Sequence, residues 1–117
     1  MTSNEWKSRG KFIQVNNNRL FVIDTNNGIN TSQKSMVILH GYPTSSFDYY
    51  KVLPELSKNY RLILHDHLGF GFSDKPKNVD YSLVKQADIA LELWRQLGLK
   101  KYTYLHMTTE HLWLLKL

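Results

Sequence analysis

Cysteine is missing from the 117-residue sequence, so disulfide bonds, thiolate metal sites and a thiol nucleophile are all excluded. Long apolar runs are missing too: the longest cover only a few residues, whereas a membrane-spanning helix needs about 20. The first ten residues, MTSNEWKSRG, have no apolar core of the kind that a signal peptide contains. We therefore expect no transmembrane segment and, by default, a cytoplasmic protein.

Charge of one sign is not concentrated in any part of the chain. Lysine and arginine number 15 against 10 aspartates and glutamates, and the resulting net charge of +5 raises the question of an anionic partner. The basic residues are scattered, with Lys100 and Lys101 as the closest pair, and aspartates are interleaved with them. This distribution is typical of a solvated surface, so we predict no nucleic-acid partner; a domain that binds anionic ligands is a weakly supported alternative.

The apolar residues that are present, 42% of the chain, occur in short segments that predict one α/β domain. Two extended segments around the turn 16–18 predict a hairpin, and the polar stretch from Thr25 to Ser35 predicts a loop. The continuous apolar run MVILH is typical of a strand that is covered on both faces in a parallel sheet. YRLILHD, from Tyr60 to Asp66, predicts a second buried strand, and YTYLH, from Tyr102 to His106, predicts a third.

Two helices are expected between these strands. The first spans 44–59, with Ser45 as its N-cap and a bend at Pro54. The second begins after Ser82, carries an apolar stripe and ends near Gly98, where a left-handed residue is expected. Strands that alternate with helices after an initial hairpin predict an α/β fold with a parallel sheet.

The loops that follow the first two apolar strands contain the sequence motifs. The first reads HGYP and begins at His40, and the second reads DHLGFGFSDKP and begins at Asp66. The second contains a Gly-x-Gly but not a dinucleotide-binding fingerprint, because Asp74 occupies the position of the third glycine and no helix follows directly. A phosphate-binding P-loop is excluded as well, since the chain has no Gly-Lys-Ser/Thr.

These two motifs, HGYPTSSFDYYKVLPEL and DHLGFGFSDKP with one strand between them, resemble the N-terminal part of the α/β-hydrolase family. The resemblance is closest to the branch that holds epoxide hydrolases, haloalkane dehalogenases and mesoderm-specific-transcript-like proteins. It covers 10–105, so residues 1–117 are interpreted as a single partial domain with a divergent tail at 106–117. The family likeness implies hydrolysis of a small-molecule epoxide, haloalkane or ester, and it implies no cofactor.

The resemblance also implies a role for the first loop, namely an oxyanion hole in which the backbone N–H of Tyr42 donates to the developing negative charge. Such a fixed donor is typically worth about 3 kcal/mol of barrier. His40 and Gly41 support the donor, with Gly41 allowing a close backbone approach, and Pro43 stiffens the turn. Without the second motif, a simple tight turn would explain these residues equally well.

A structural role is expected for the second loop. Asp66 and Asp74 are interpreted as carboxylates that accept backbone N–H bonds rather than as an acid or a base. The other members of this structural loop are Gly69, Gly71 and Ser73.

A metal site is not expected. The five histidines of the chain show no ligand spacing. We also expect His65 and His67, which flank Asp66, to lie on opposite faces of an extended segment.

The nucleophile elbow of the family is absent from this sequence. The third strand continues into YLHMTTEHLWLLKL, which contains neither Gly-x-Ser-x-Gly nor small-x-Asp-x-Gly. Thr108 and Glu110 have neighbours too large for that turn, and His111 precedes the later loop that supplies the family's base. We therefore expect no catalytic nucleophile, acid or histidine in this chain, and inactivity on its own, as a frameshift, a splice event or a misplaced exon boundary would produce. The alternative is a non-catalytic module that associates through an exposed sheet edge.

Overall fold

A computed structural model describes residues 1–25, 34–41 and 44–99, together with the backbone of 102–106. Five strands, three α-helices and one 3₁₀ turn are present in these residues. In chain order they are α1 (Ser3–Ser8), β1 (Lys11–Val15), β2 (Asn18–Asp24), β3 (Lys34–Leu39), the 3₁₀ turn (Ser46–Tyr49), α2 (Leu53–Leu56), β4 (Tyr60–His65), α3 (Leu83–Gln96) and β5 (Tyr102–His106).

The strands form one sheet in the order β1-β2-β4-β3-β5. β1 and β2 are the predicted antiparallel hairpin, and β2 also pairs antiparallel with β4. β3 is parallel to β4 on one side and to β5 on the other. The predicted parallel sheet is therefore confirmed, and the carboxyl ends of β3 and β4 lie side by side.

Both faces of the sheet are covered, which explains the unbroken apolar runs in the sequence. On one face, strand residues such as Val22 and Val37 pack against α3 in a cluster that includes Trp94. On the other face, strand residues such as Phe21 and Ile38 pack in a cluster that includes Trp6 and Leu53. Successive residues of β2 alternate between these two clusters, as the pleat of a strand requires.

The helix α3 begins and ends as predicted. The Ser82 hydroxyl accepts a hydrogen bond from the Lys85 N–H at 3.2 Å, and Gly98 adopts a φ of +77° just beyond the last turn. The buried face is broader than the predicted apolar stripe, because it includes Gln86 and Leu93 as well as the alanines. None of the helices that the described residues form is both long and apolar enough to cross a bilayer.

The predicted single helix over 44–59 is wrong. Ser45 does act as an N-cap, with its hydroxyl accepting from the Phe47 N–H, but it caps only the 3₁₀ turn. Pro54 lies in the first turn of α2, where a missing N–H costs nothing, so the proline starts a new helix instead of bending an existing one. The segment is thus two short pieces joined by a turn.

The sequence interpretation also missed helix α1 and placed one loop boundary too late. α1 is capped by Thr2, whose hydroxyl accepts from the Glu5 N–H at 3.1 Å, and it buries Trp6. Lys34 and Ser35, which were expected in a loop, belong to β3. Residues 26–33 of that predicted loop lie outside the described residues.

Candidate functional site: the paired loops at the carboxyl edge of the sheet

The two sequence motifs meet because β3 and β4 are parallel neighbours in which Leu39 pairs with His65. His40 follows β3 directly, and His67 follows β4 by two residues. Their imidazole rings are in tilted contact, with centroids 4.0 Å apart and ring planes 47° apart, and both side chains are fully buried. The site is therefore formed by two loops in close contact at one edge of the sheet.

Hydrogen bonds lock His40 and His67 together at both ends. The backbone N–H of His67 donates to Nε2 of His40 at 2.9 Å. In the reverse direction, Nε2 of His67 lies 3.0 Å from the carbonyl oxygen of His40, to which it donates. The loop after β3 is thus tied to the loop after β4 by a reciprocal pair of bonds.

The carbonyl oxygen of Gly41 is the acceptor for three donors. Nδ1 of His40 lies 2.8 Å from it, and the hydroxyl of Thr44 donates to it at 2.9 Å. The backbone N–H of Thr44 donates to the same oxygen at 3.1 Å. The direction of this carbonyl is therefore firmly fixed.

The imidazoles in this region are held in their neutral form. Burial is the largest cause that lowers the pKa of His40, and the Gly41 carbonyl and nearby Asp66 act against it. Burial lowers the pKa of His65 to about 3 and the pKa of His67 well below its usual range.

The expectation that His65 and His67 lie on opposite faces of the segment is wrong. Their ring centroids are 5.2 Å apart, because residues two apart in an extended segment point to the same side. Both ring nitrogens of His40 are already engaged by protein groups. In the part of the chain that the structure describes, no three His, Cys, Asp or Glu side chains are grouped so as to bind a metal ion.

Asp66 is a buried carboxylate that holds two separate segments. Its Oδ1 accepts the backbone N–H of Ser46 at 2.8 Å, and its Oδ2 accepts the backbone N–H of Phe72 at 2.9 Å. Gly71 makes room for this carboxylate: its φ is +55°, and a Cβ at this position would lie 2.1 Å from Oδ2 of Asp66. Any larger residue at 71 would collide with Asp66.

The end of the same loop is bonded to the hairpin. The Ser73 hydroxyl donates to the carbonyl of Asp66 at 2.6 Å and accepts the N–H of Phe21 at 2.9 Å. Asp74 accepts the N–H of Arg19 at 2.8 Å through its side chain and donates its own N–H to the Arg19 carbonyl at 2.9 Å.

Gly69 occupies the tight turn at the middle of the second loop. It has a φ of +91° and faces the ring of Tyr81, which a Cβ at position 69 would approach to 2.8 Å. Its N–H donates to the carbonyl of Asp74 at 2.9 Å. The turn is therefore restricted to glycine by both its backbone conformation and its close neighbour.

Two contacts that position the loops were not anticipated from the sequence. The side-chain amide of Gln86 bonds both backbone groups of Leu68, at 3.1 Å and 2.8 Å, and so fastens the second loop to α3. Trp6 donates its Nε1–H to the hydroxyl of Ser46 at 3.0 Å. A glutamine on the otherwise apolar side of a helix was the only available signal for the first contact, and no local pattern indicated the second.

Several residues of the predicted site lie outside the described residues. These include Tyr42, which carries the predicted donor N–H, and Pro43. They also include Thr108, Glu110 and His111 in the tail. Of the predicted oxyanion loop, the structure describes His40 and Gly41 directly.

The fold and the two loop motifs define the class of protein. The family model for the alpha/beta hydrolase fold matches residues 34–105, and the chain belongs to that family. The resemblance inferred from the two motifs is thereby confirmed.

The relatives include members of the branch that the motifs indicated. The chain is 47% identical over 96 residues to the human mesoderm-specific transcript homolog protein, with 81% of this chain and 28% of that protein covered. It is 34% identical over 67 residues to haloalkane dehalogenase 2 of Mycobacterium tuberculosis, with 57% of this chain and 23% of that protein covered. The crystal structure of haloalkane dehalogenase DbeA from Bradyrhizobium elkani matches with a TM-score of 0.75 at 24% identity, which shows a shared fold over 84% of this chain and 32% of that one. The chain thus spans less than a third of the length of these relatives.

Proposed function

We propose that this chain supplies the oxyanion-hole loop of a hydrolase for a small-molecule epoxide, haloalkane or ester, with the backbone N–H of Tyr42 as the donor. His40, Gly41 and Pro43 support that donor. Asp66, Gly69, Gly71, Ser73 and Asp74 form the structural loop that holds it in place.

The observation that carries this proposal is the fixed carbonyl of Gly41. In a trans peptide the C=O of one residue and the N–H of the next point in opposite directions. Three donors hold the Gly41 carbonyl, which supports a fixed direction for the N–H that we propose as the donor. A donor whose direction is set in advance stabilises developing negative charge without reorganising, which is the physical requirement of an oxyanion hole.

Catalysis needs a nucleophile in addition, and the sequence after β5 contains no elbow motif. We propose that this chain is inactive alone and that the hydrolytic activity belongs to a longer product of the same locus. The haloalkane substrate class is supported by the relative named haloalkane dehalogenase 2. A cytoplasmic location stays a prediction.

The first experiment assays the purified chain with a fluorogenic ester, an epoxide and a bromoalkane. We expect no turnover above buffer with any of the three. Turnover that disappears when residues 106–117 are deleted would contradict the proposal, because it would place a working nucleophile in the tail.

The second experiment tests the donor itself. Transcripts that extend past codon 105 are sequenced, and one that encodes a nucleophile elbow is expressed. In that product, Tyr42→Pro removes the donor N–H and is expected to lower kcat by about 10²- to 10³-fold. Tyr42→Phe keeps the N–H and serves as the matched control. Equal kcat values for the two variants would contradict the role of Tyr42.

Self-association through a sheet edge is a second candidate, favoured by the position of β5. Within the described residues, β5 pairs with β3 alone and leaves its other side without a strand partner. Such an edge can pair with another chain. We expect a concentration-dependent dimer in size-exclusion chromatography with light scattering, and a monomer at all concentrations would contradict this candidate.

A further inference from the structure

We propose that a cavity beside the hairpin turn binds a compact zwitterion, namely a free α-amino acid with a branched aliphatic side chain. The cavity has a volume of about 200 Å³ and lies between the turn 16–18, residues 79–80, Leu68 and the first turns of α3. Among the described residues that line it, none belongs to the HGYP loop. The inference is therefore independent of the proposed oxyanion donor.

The inner part of the cavity is aliphatic. Its apolar lining consists of Val15, Leu20, Leu68, Val79 and Ile89. All of these except Val79 are buried members of the cluster that packs against α3, so the cavity reaches from the surface to the edge of the core. The described lining residues include no aromatic ring, so a ligand that stacks, such as a nucleobase, has no partner here. A branched alkyl group matches this lining in its chemistry.

Charged groups of both signs lie at the rim of the cavity. The Asp80 carboxylate and the Lys85 ammonium both line it, and no ion pair between described residues includes either of them. Hydrogen bonds from Ser82 lower the pKa of Asp80, and the charge of Lys85 acts in the same direction. The two charges are thus close enough to interact, and each has room for an ionic partner from a ligand.

A zwitterion uses both of these charges at once. Its carboxylate pairs with Lys85 and its ammonium with Asp80, while the side-chain amides of 16–18 can donate to the first group and accept from the second. A ligand with a single charge leaves one of the two rim charges unmatched. Pockets for drug-sized ligands have volumes of about 300–1,000 Å³, so this smaller cavity is restricted to a compact molecule.

The test is a titration of the full ¹⁵N-labelled chain, followed through the amide signals of Leu20, Leu68 and Lys85. L-Leucine is expected to shift these signals saturably. Three analogues each lack one recognised feature: 4-methylpentanoate lacks the ammonium, 3-methylbutylamine lacks the carboxylate, and glycine lacks the aliphatic side chain. The first two should bind about fivefold more weakly, the upper range for an exposed ion pair. Glycine should bind more than about tenfold more weakly.

Two variants assign the charges to their partners. Lys85→Met should weaken L-leucine about fivefold and leave the affinity for 3-methylbutylamine unchanged. Asp80→Asn should weaken L-leucine by a similar factor and leave the affinity for 4-methylpentanoate unchanged. Lys77→Met is the matched control, because Lys77 is an exposed lysine close by in the sequence that does not line the cavity; it should leave all affinities unchanged.

The proposal is overturned if L-leucine causes no saturable shift, or if glycine or either singly charged analogue matches its affinity. Equal losses in Lys85→Met and Lys77→Met would also overturn it, because a general loss of positive charge would then explain the binding. Asp80 and Lys85 are both exposed, so their replacement should not disturb the fold. The comparison of the four ligands on the wild-type chain needs no variant and decides the question by itself.

Discussion

Replacing Asp66 with asparagine should destabilise the protein by about 3 kcal/mol. The carboxylate accepts one backbone N–H with each oxygen, from Ser46 and from Phe72. Asparagine is almost isosteric but keeps only one of these acceptors, and its NH₂ group faces the other N–H. A hydrogen bond to a charged group contributes about 1.5–3 kcal/mol, and a buried N–H left without a partner costs about 1–3 kcal/mol. The two effects describe overlapping losses, so about 3 kcal/mol is the expected total.

The measurement is urea unfolding followed by tryptophan fluorescence, since both Trp6 and Trp94 are buried. Asp74→Asn is the matched control, because Asp74 accepts only one backbone N–H through its side chain and that side chain is 35% exposed. Asparagine can keep that bond, and its NH₂ then replaces the oxygen that lies 3.7 Å from Nε of Arg19 in an exposed ion pair. Exposed ion pairs contribute little, so we expect a loss below about 1 kcal/mol. If Asp66→Asn costs no more than Asp74→Asn, the reasoning about the two buried acceptors is refuted.

Three further predictions use the same unfolding measurement. Gly71→Ala should lower the free energy of unfolding by about 2 kcal/mol more than Gly98→Ala does. Both glycines have a positive φ, but only at position 71 would the added Cβ collide with a carboxylate. Equal losses in the two variants would contradict this collision. Trp6→Phe should lower the free energy of unfolding by about 1–2 kcal/mol, because it removes the hydrogen bond to Ser46. An unchanged urea midpoint would contradict a stabilising role for this hydrogen bond. The folded-state pKa of His65 is about 3 against an ordinary 6.5, so only the unfolded state takes up its proton as pH falls between these values. The free energy of unfolding should then drop with acid by up to about 1.4 kcal/mol per pH unit per buried histidine, and His65→Leu should reduce that slope.

The strands and the long helix could be predicted because local patterns determine them. The runs in β3 and β4 are apolar on both faces, and α3 has a serine cap and a terminal glycine. α1 could not be predicted, because a six-residue helix owes its stability to tertiary contacts. Here those contacts are the burial of Trp6 and its bond to Ser46, 40 residues away.

The candidate site shows the same division between local and distant information. The two motifs place His40 and Asp66 just after two predicted strands, which the sequence could indicate. The donors that Asp66 accepts come from other segments, and Ser46 is 20 residues away along the chain. The relation between His40 and His67 depends on strand order, since β3 and β4 are neighbours in space. No spacing within one motif contains that information.

The hydrogen bonds of Ser73 and Asp74 to the hairpin extend the hydrogen bonding of the sheet into this loop. β4 pairs with β2 only from Val22 to Asp24, and beyond that point the N–H groups of Phe21 and Arg19 bond the side chains of Ser73 and Asp74. Two side chains thus take the place of strand carbonyls. Most surface loops tolerate insertions and deletions, but one residue added or removed between Gly71 and Ser73 would shift both acceptors out of register. In homologues and in engineered variants, the length of this loop should therefore vary as little as that of a buried strand.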